Sequence, residues 1–325
     1  MKSLNVLIDA YGPAEQMKLR EVDIAAPGPG QVRMRNTAIG FNFIDVYQRR
    51  GANALPLPAG LGHEAAGVVV DVGDGVTHLQ PGDRVATATA GPGAYASIRN
   101  VDAAKVVPLP DDIGDEVAAS ILFKGLTAQY LVRKTRAVGA QDVVVVHAAA
   151  GGVGALLVGW AKGLGAKVIG VTSSPNKVAQ IRALGADGVS VIGRDRLADV
   201  VTAVAGRKAT VVYDSVGLAT FEESADALEP FGLLVIYGSS SGATPPIDPE
   251  WLNRKGCLFL TRPSVFPHNA TTTALLSNAA DVFEAYRRGM VKVDAAARYR
   301  LADVVDAHRD AEAKKTTGSL LLMPE

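Results

Sequence analysis

Residues 143–154 read VVVVHAAAGGVG. Four consecutive valines fit a strand buried on both faces, as in a parallel sheet, because β-branched side chains pack well on that surface. After His147 the run breaks into small residues and three glycines, Gly151, Gly152 and Gly154. The next segment carries Leu156, Leu157, Trp160, Ala161 and Leu164 at helical spacing. The glycines therefore fall where a strand turns into a helix. Ala149, Gly151 and Gly154 hold the three positions of a G-x-G-x-x-G fingerprint, with Ala at the first and with Gly152 and Val153 between the last two. The missing side chains let backbone amides and a helix N-terminus approach a pyrophosphate. The same letters also fit a tight turn that binds nothing. A strand before them and a helix after them favour the dinucleotide.

Around this stretch, residues 141–260 alternate between strand and helix. Strands are expected at 143–147, 167–171, 188–192, 210–213, 233–238 and 258–261, which together make a doubly wound parallel sheet. Ligands of such sheets bind beyond the carboxyl ends of the strands. The loops holding Ser215 and Tyr237-Gly238-Ser239-Ser240 are therefore expected to border a cofactor. Residues 1–110 read instead as short strands punctuated by Pro and Gly, at 4–8, 32–38, 65–72 and 84–89, with a further one starting at Tyr95. Residues 39–51, IGFNFIDVYQRRG, differ from their surroundings by mixing aromatics with Asn42, Asp45 and Tyr47. Residues 116–134 read as a helix leading into a second domain. Helices at 275–289 and 301–314 and a strand at 319–323 form a tail expected to return to the first domain.

A chain of 325 residues suggests about two domains. Lys and Arg number 33 and so do Asp and Glu, a balance that gives no electrostatic reason to bind nucleic acid or a membrane. The one cysteine, Cys257, can build neither a disulfide within the chain nor a cysteine-based zinc site. No signal peptide and no transmembrane run is read, and a cytoplasmic location is expected.

The motifs Asn42-Phe43-Ile44-Asp45, residues 62–67, Lys124-Gly125-Leu126-Thr127, residues 147–154, residues 214–217 and Arg262-Pro263-Ser264 occur in one order along the chain. On these the sequence resembles the NADPH:quinone oxidoreductases, the zeta-crystallin-like branch of the zinc-independent medium-chain dehydrogenase/reductases. The likeness runs from near residue 5 to the C-terminus. It implies an α/β fold: a GroES-like β-rich catalytic domain at 1–122, a Rossmann dinucleotide-binding domain at 123–262 and a returning segment at 263–325, with the active site between the domains. It also implies a homodimer. By the same resemblance Asn42, Tyr47 and Thr127 are expected to act on the substrate. Asn42, Asp45, Tyr130, Arg262, Pro263 and Ser264 are expected to contact NADPH. On composition alone, Asn42, Asp45, Tyr47 and Thr127 read as ordinary turn and cap residues. Lys124 reads equally as a surface lysine.

Zinc-dependent relatives take a metal ligand from a Gly-His-Glu at the place of Gly62-His63-Glu64. Catalytic zinc needs about three protein ligands, and the partner position, cysteine in those relatives, is Asn42 here. His63 is thus expected to be a hydrogen-bonded histidine at a strand start, and no metal is expected. An NAD-binding fold places Asp or Glu about 20 residues past the glycines. This chain has Ser173, Ser174, Pro175, Asn176 and Lys177 there, which suits a 2′-phosphate and hence NADPH. Ser174 before Pro175 also fits a helix N-cap. Family members often carry a tyrosine where this chain has Ile192, and Arg194 is a candidate substitute. The expected reaction is reduction of a quinone by transfer from the nicotinamide. The alternatives are an enone or 2-alkenal reductase on the same scaffold and a non-enzymatic NADPH-binding protein, structural or RNA-binding.

Overall fold

The computed structural model describes residues 1–325 except Asp294, Lys314, Thr317 and Glu325. The chain forms two compact units. One comprises residues 1–126, 266–283 and 293–325, the other residues 127–265 and 284–292.

The first unit begins with β1 (Lys2–Ile8), β2 (Lys18–Asp23), β3 (Gln31–Gly40), β4 (Ala59–Gly60), β5 (Glu64–Val72), β6 (Arg84–Thr87), β7 (Ile98–Asp102) and β8 (Val106–Pro108). β2, β4 and β8 are additions to the strands expected, and the strand expected to begin at Tyr95 starts at Ile98. Between β3 and β4 lies α1 (Phe43–Arg49), so the unusual stretch at 39–51 contains a helix. Its pattern is too short to show a period of 3.6 in the sequence. α2 (Asp115–Tyr130) follows β8 and widens at its end into a π-helical stretch, Leu131–Thr135. The boundary between the units falls inside α2, after Leu126.

The second unit holds β9 (Val143–Val146), β10 (Lys167–Thr172), β11 (Gly188–Val191), β12 (Ala209–Asp214), β13 (Leu228–Ile236) and β14 (Phe259–Thr261). All pair in parallel in the order β11-β10-β9-β12-β13-β14. This is the doubly wound order with the glycine-bearing strand at the centre. Its valines are 0–3% exposed, as a strand covered on both faces requires. α3 (Gly152–Gly163) follows β9.

The tail adds β15 (Ala295–Arg300) and β16 (Ser319–Met323) to the first unit. A seven-stranded sheet then runs β15-β16-β3-β5-β6-β8, with β7 on β3. Within this tail, residues 284–292 belong to the second unit. Of the helix expected at 301–314, Val304–Glu312 is α-helical behind a 3₁₀ turn at Leu301–Asp303, and Lys314 lies outside the described residues.

β3 runs close enough to α2 that only glycine fits at its end. A Cβ on Gly40 would stand 2.1 Å from the Ala119 carbonyl oxygen and 2.5 Å from Glu64 Oε2. Gly40→Ala is expected to cost about 1–3 kcal/mol through overpacking. Urea unfolding checks this, and an unchanged midpoint would show that the helix yields freely.

Candidate functional site

In the second unit the strand–helix turn takes the expected form. Ala148 sits at φ 48°, a left-handed conformation that no letter of the chain signals, since alanine rarely adopts it. Its carbonyl accepts from Gly151 N at 2.8 Å. A Cβ on Gly154 would lie 2.3 Å from that same oxygen. Gly154 therefore lets the first turn of α3 close against the strand end. Gly151 is the N-cap and brings no side chain to it, so the first amides of the helix have no side-chain acceptor. Gly152 and Val153 are half-buried in that first turn. Ala149 is buried, with its N–H donated to Val171 O at 3.0 Å. Its methyl is accommodated because residue 170 is glycine: a Cβ there would meet Ala149 Cβ at 3.0 Å. A pyrophosphate fits this cradle.

β10 ends at Thr172, whose hydroxyl accepts from Ser174 N at 3.1 Å. Pro175 occupies the first helical position of a short 3₁₀ turn, but the Ser174 side chain makes no capping hydrogen bond. The Lys177 N–H donates to the Ser174 backbone carbonyl at 3.1 Å instead. Ser173 is exposed, and Lys177 is half-buried with no ion pair among the described residues. No carboxylate stands in this turn, so a 2′-phosphate fits. Arg194, the candidate substitute for the missing tyrosine at Ile192, is held by Asp195 through two bonds of 2.9 and 2.8 Å. It is thus already paired.

The loops after β12 and β13 pack on each other. Ser240 N donates to Ser215 O at 3.2 Å, and a Cβ on Gly238 would stand 2.7 Å from that oxygen. Arg262, exposed between β14 and Pro263-Ser264, donates to Gly238 O at 3.4 Å. Burial pushes the Tyr130 and Tyr237 phenols well up. Tyr130 is raised further by Tyr237 and held back by Arg262, and Tyr237 is held back by a hydrogen bond with Ser215. Ser239 and Ser240 complete the loop. Beneath it lies a Ser/His/Asp grouping not read from the sequence. Ser224 Oγ donates to Asp214 Oδ2 at 2.9 Å and lies 2.8 Å from His147 Nε2. All three are 0% exposed, so the serine braces the sheet and is not presented as a nucleophile. Asp214 also accepts from Val216 N, Gly217 N and Thr220 Oγ1 at 2.7–3.0 Å, which shapes the turn carrying Ser215.

In the first unit Asn42 is the N-cap of α1 and is 5% exposed. Asp45 is wholly buried, and its carboxylate accepts from Asn42 N and Tyr95 OH, both at 2.9 Å. Asp45 is thus tied into the helix start, which is the cap reading of this residue. Tyr47 is half-buried two residues further along α1. Thr127 is buried at the beginning of the second unit. Lys124, read equally as a surface lysine, is buried with its ammonium 3.1 Å from Glu64 Oε2. Glu64 and Lys124 were legible only as letters of motifs. Their pairing needs β5 and α2 side by side.

His63 precedes β5, is 2% exposed, and bonds Gln48 through Nε2 at 2.9 Å. Its ring packs against Phe123 and Phe266 at 5.8 and 5.5 Å. Burial, assisted by Arg99, pushes its pKa down to about 4. This is a neutral, packed imidazole. Among the described residues no three His, Cys, Asp or Glu side chains form a metal-holding group.

Burial pushes Asp45 up to about 7, against the lowering effects of Asn42 N, Tyr95 and Lys124. Its unfolded value is about 3.9. Between about pH 4 and 7 the folded chain keeps a proton that the unfolded chain releases, so stability from this group falls as pH rises through that window. Asp45→Asn, which keeps an acceptor and cannot ionise, should therefore melt higher than wild type at pH 8. That advantage should shrink toward pH 4. Thermal melts across this range check it, and a gap independent of pH would sink the assignment.

Two family models match the chain: an alcohol dehydrogenase GroES-like domain over residues 28–111 and a zinc-binding dehydrogenase over residues 152–282. The quinone oxidoreductase of Pseudomonas aeruginosa is 43% identical over 97% of this chain and 98% of its own length. The 2-haloacrylate reductase of a Burkholderia species is 39% identical over 98% of each. Among solved structures, the Escherichia coli quinone oxidoreductase complexed with NADPH superposes at a TM-score of 0.96 with 40% identity, covering the whole of both chains. Shared fold and identity along nearly the full length agree, and the chain belongs to the quinone oxidoreductase family of medium-chain dehydrogenase/reductases.

Proposed function

We propose that the chain is an NADPH-dependent quinone reductase that works without a metal. The observation that carries this is the end of β10, where a cation without an ion pair among the described residues stands in a turn free of carboxylates, downstream of the glycine cradle. Ala149, Gly151, Gly152, Val153 and Gly154 would hold the pyrophosphate, and Ser173, Ser174 and Lys177 the 2′-phosphate. Tyr130, Ser215, Tyr237, the 238–240 loop and Arg262-Pro263-Ser264 would line the rest of the dinucleotide. Bound NADPH supplies the reducing equivalents. Asn42 and Thr127 would orient the acceptor oxygen. A quinone is a strong electrophile, so orientation contributes most of the catalysis.

A second reading, reduction of a conjugated carbon–carbon double bond, is supported by the similarity to 2-haloacrylate reductase. It needs a proton delivered to carbon, for which Tyr47 is the candidate. A panel of quinones and enones followed by NADPH oxidation and product analysis separates hydroquinone from saturated product. No oxidation above background with any of them would leave only an NADPH-binding protein. The 51–58 loop carries no aromatic residue of its own but is held by Tyr11, whose hydroxyl bonds Leu55 O and N at 2.5 and 3.0 Å. Tolerance of bulky acceptors such as naphthoquinones is part of the proposal, and kcat/KM favouring small benzoquinones would count against it.

A cytoplasmic homodimer with no nucleic-acid partner completes the reading. The outer strand β14 leaves Phe259 60% exposed, and Phe231 is 68% exposed. An edge strand with exposed aromatics invites pairing. Phe259→Lys should shift the protein toward monomer in light scattering, and a monomeric wild type would end the dimer proposal.

NADPH should be preferred over NADH by about 10–100-fold in kcat/KM. Hydrogen bonds to a charged group contribute about 1.5–3 kcal/mol, and 1.4 kcal/mol is tenfold. Partial exposure of Lys177 pulls the value to the low end and makes it fall with salt. Lys177→Ala should weaken NADPH about tenfold and leave NADH nearly unchanged. Equal losses for both cofactors would make Lys177 a surface lysine. Dialysis against a chelator should leave activity intact, and stoichiometric zinc lost together with activity would overturn the metal-free reading.

A further inference from the structure

Glu64 is 0% exposed, and a carboxylate removed from water is tolerable only where donors surround it. Three surround this one. Oε1 accepts from Phe123 N at 2.8 Å. Oε2 accepts from Asn42 Nδ2 at 2.8 Å and from Lys124 Nζ at 3.1 Å. The donors come from two elements, α2 and the junction of β3 with α1. The missing side chain of Gly40 leaves room for the carboxylate.

This arrangement orients the Asn42 amide. A carboxylate only accepts, so the NH₂ end of Asn42 must face Glu64. The capping-box geometry of α1 turns the other end, Oδ1, toward the Asp45 backbone N–H. Asp45 fixes the backbone of the same residue by accepting from Asn42 N at 2.9 Å. The NH₂ end of the amide is thus assigned by Glu64, and its second Nδ2 proton is what remains to offer. Replacing a buried ion pair with apolar groups is often neutral or stabilising, so the Glu64–Lys124 pair is not explained by stability.

We propose that Glu64, paired with Lys124, is a positioning residue that locks Asn42 as a hydrogen-bond donor toward the acceptor oxygen. This rests on the reading of Asn42 given above as the residue that orients the acceptor. Gln at position 64 cannot reproduce the lock. Its NH₂ would oppose either the Phe123 N–H or the two donors on Oε2, and the latter conflict is relieved only if Asn42 flips.

The test is a double-mutant cycle with Glu64→Gln and Asn42→Ala, read as quinone kcat/KM alongside NADPH affinity by fluorescence titration. One donor to a developing oxyanion is worth about 10²–10³ in kcat where it has been removed. Glu64→Gln should lower kcat by about tenfold or more and leave NADPH affinity within about threefold. In the Asn42→Ala background it should cost little further, because its target is gone. Additive losses, or a folded Glu64→Gln enzyme with wild-type kcat, would overturn the proposal. Asn42→Ala with wild-type kcat/KM would sink the reading of Asn42 itself, a separate result.

Should Glu64→Gln fail to fold, Lys124→Met serves. The carboxylate then keeps Asn42 and Phe123 N but loses its cation, with Asp45 and Tyr95 as the other titratable groups nearby. The variant's kcat should fall, and the loss should shrink in the Asn42→Ala background, because the lock then holds nothing. A Lys124→Met enzyme with wild-type kcat, or with the same loss in both backgrounds, would count against the proposal.

Discussion

A carboxylate taken out of water has to be met by donors, and in each unit one such group shapes the candidate site. Glu64 gathers Phe123 N, Lys124 and Asn42. Asp214 gathers two backbone amides, Thr220 and Ser224, and through Ser224 reaches His147. The donors to Glu64 come from segments distant in sequence, so that part of the fold closes only with them in register, whereas those of Asp214 follow it closely in the chain and only His147 is brought from afar. The residues that would touch ligand, Asn42 in one unit and Ser215 in the other, are placed by these buried charges.

Close backbone approach is the second constraint. Gly154 allows α3 to begin against the Ala148 carbonyl, and Gly40 allows β3 to pass under α2. A Cβ at either place would force backbone apart, because the obstacle is a carbonyl oxygen and not a flexible side chain. Ala148 adopts its left-handed conformation between two backbone bonds, one that its carbonyl accepts from Gly151 N and one that Ala149 N donates to Val171 O.

Burial also decides which groups carry charge. His63, His147 and His308 are all pushed below their ordinary range by desolvation. Neutral imidazoles at working pH are packing and hydrogen-bonding groups. Asp45 is the opposite case, a buried carboxylate moved up toward neutrality at the start of α1. The surface is laced with ion pairs such as Arg20–Asp9 and Arg309–Glu15, which contribute little individually.

The sequence by itself determined the parallel sheet and its glycine turn. Their signals are local: a valine run, glycines at fixed offsets and a helical period immediately after. It also determined the absence of a carboxylate at the end of β10, since that turn is a continuous stretch of chain. Tertiary structure decided what depends on segments far apart. Lys124 looked like a surface lysine because its partner is 60 residues away. Asp45 read on its own as a cap residue, and its bond to Tyr95, 50 residues on, could not be read from the letters. Arg194 is the exception, taken by Asp195, its immediate neighbour in the chain. Helix α1 was hidden because seven residues show too little of a 3.6-residue period, although Asn42 and Asp45 at its start read as cap residues. Composition and spacing name the residues, but which of them face a ligand and which face a buried charge depends on what the fold brings against them.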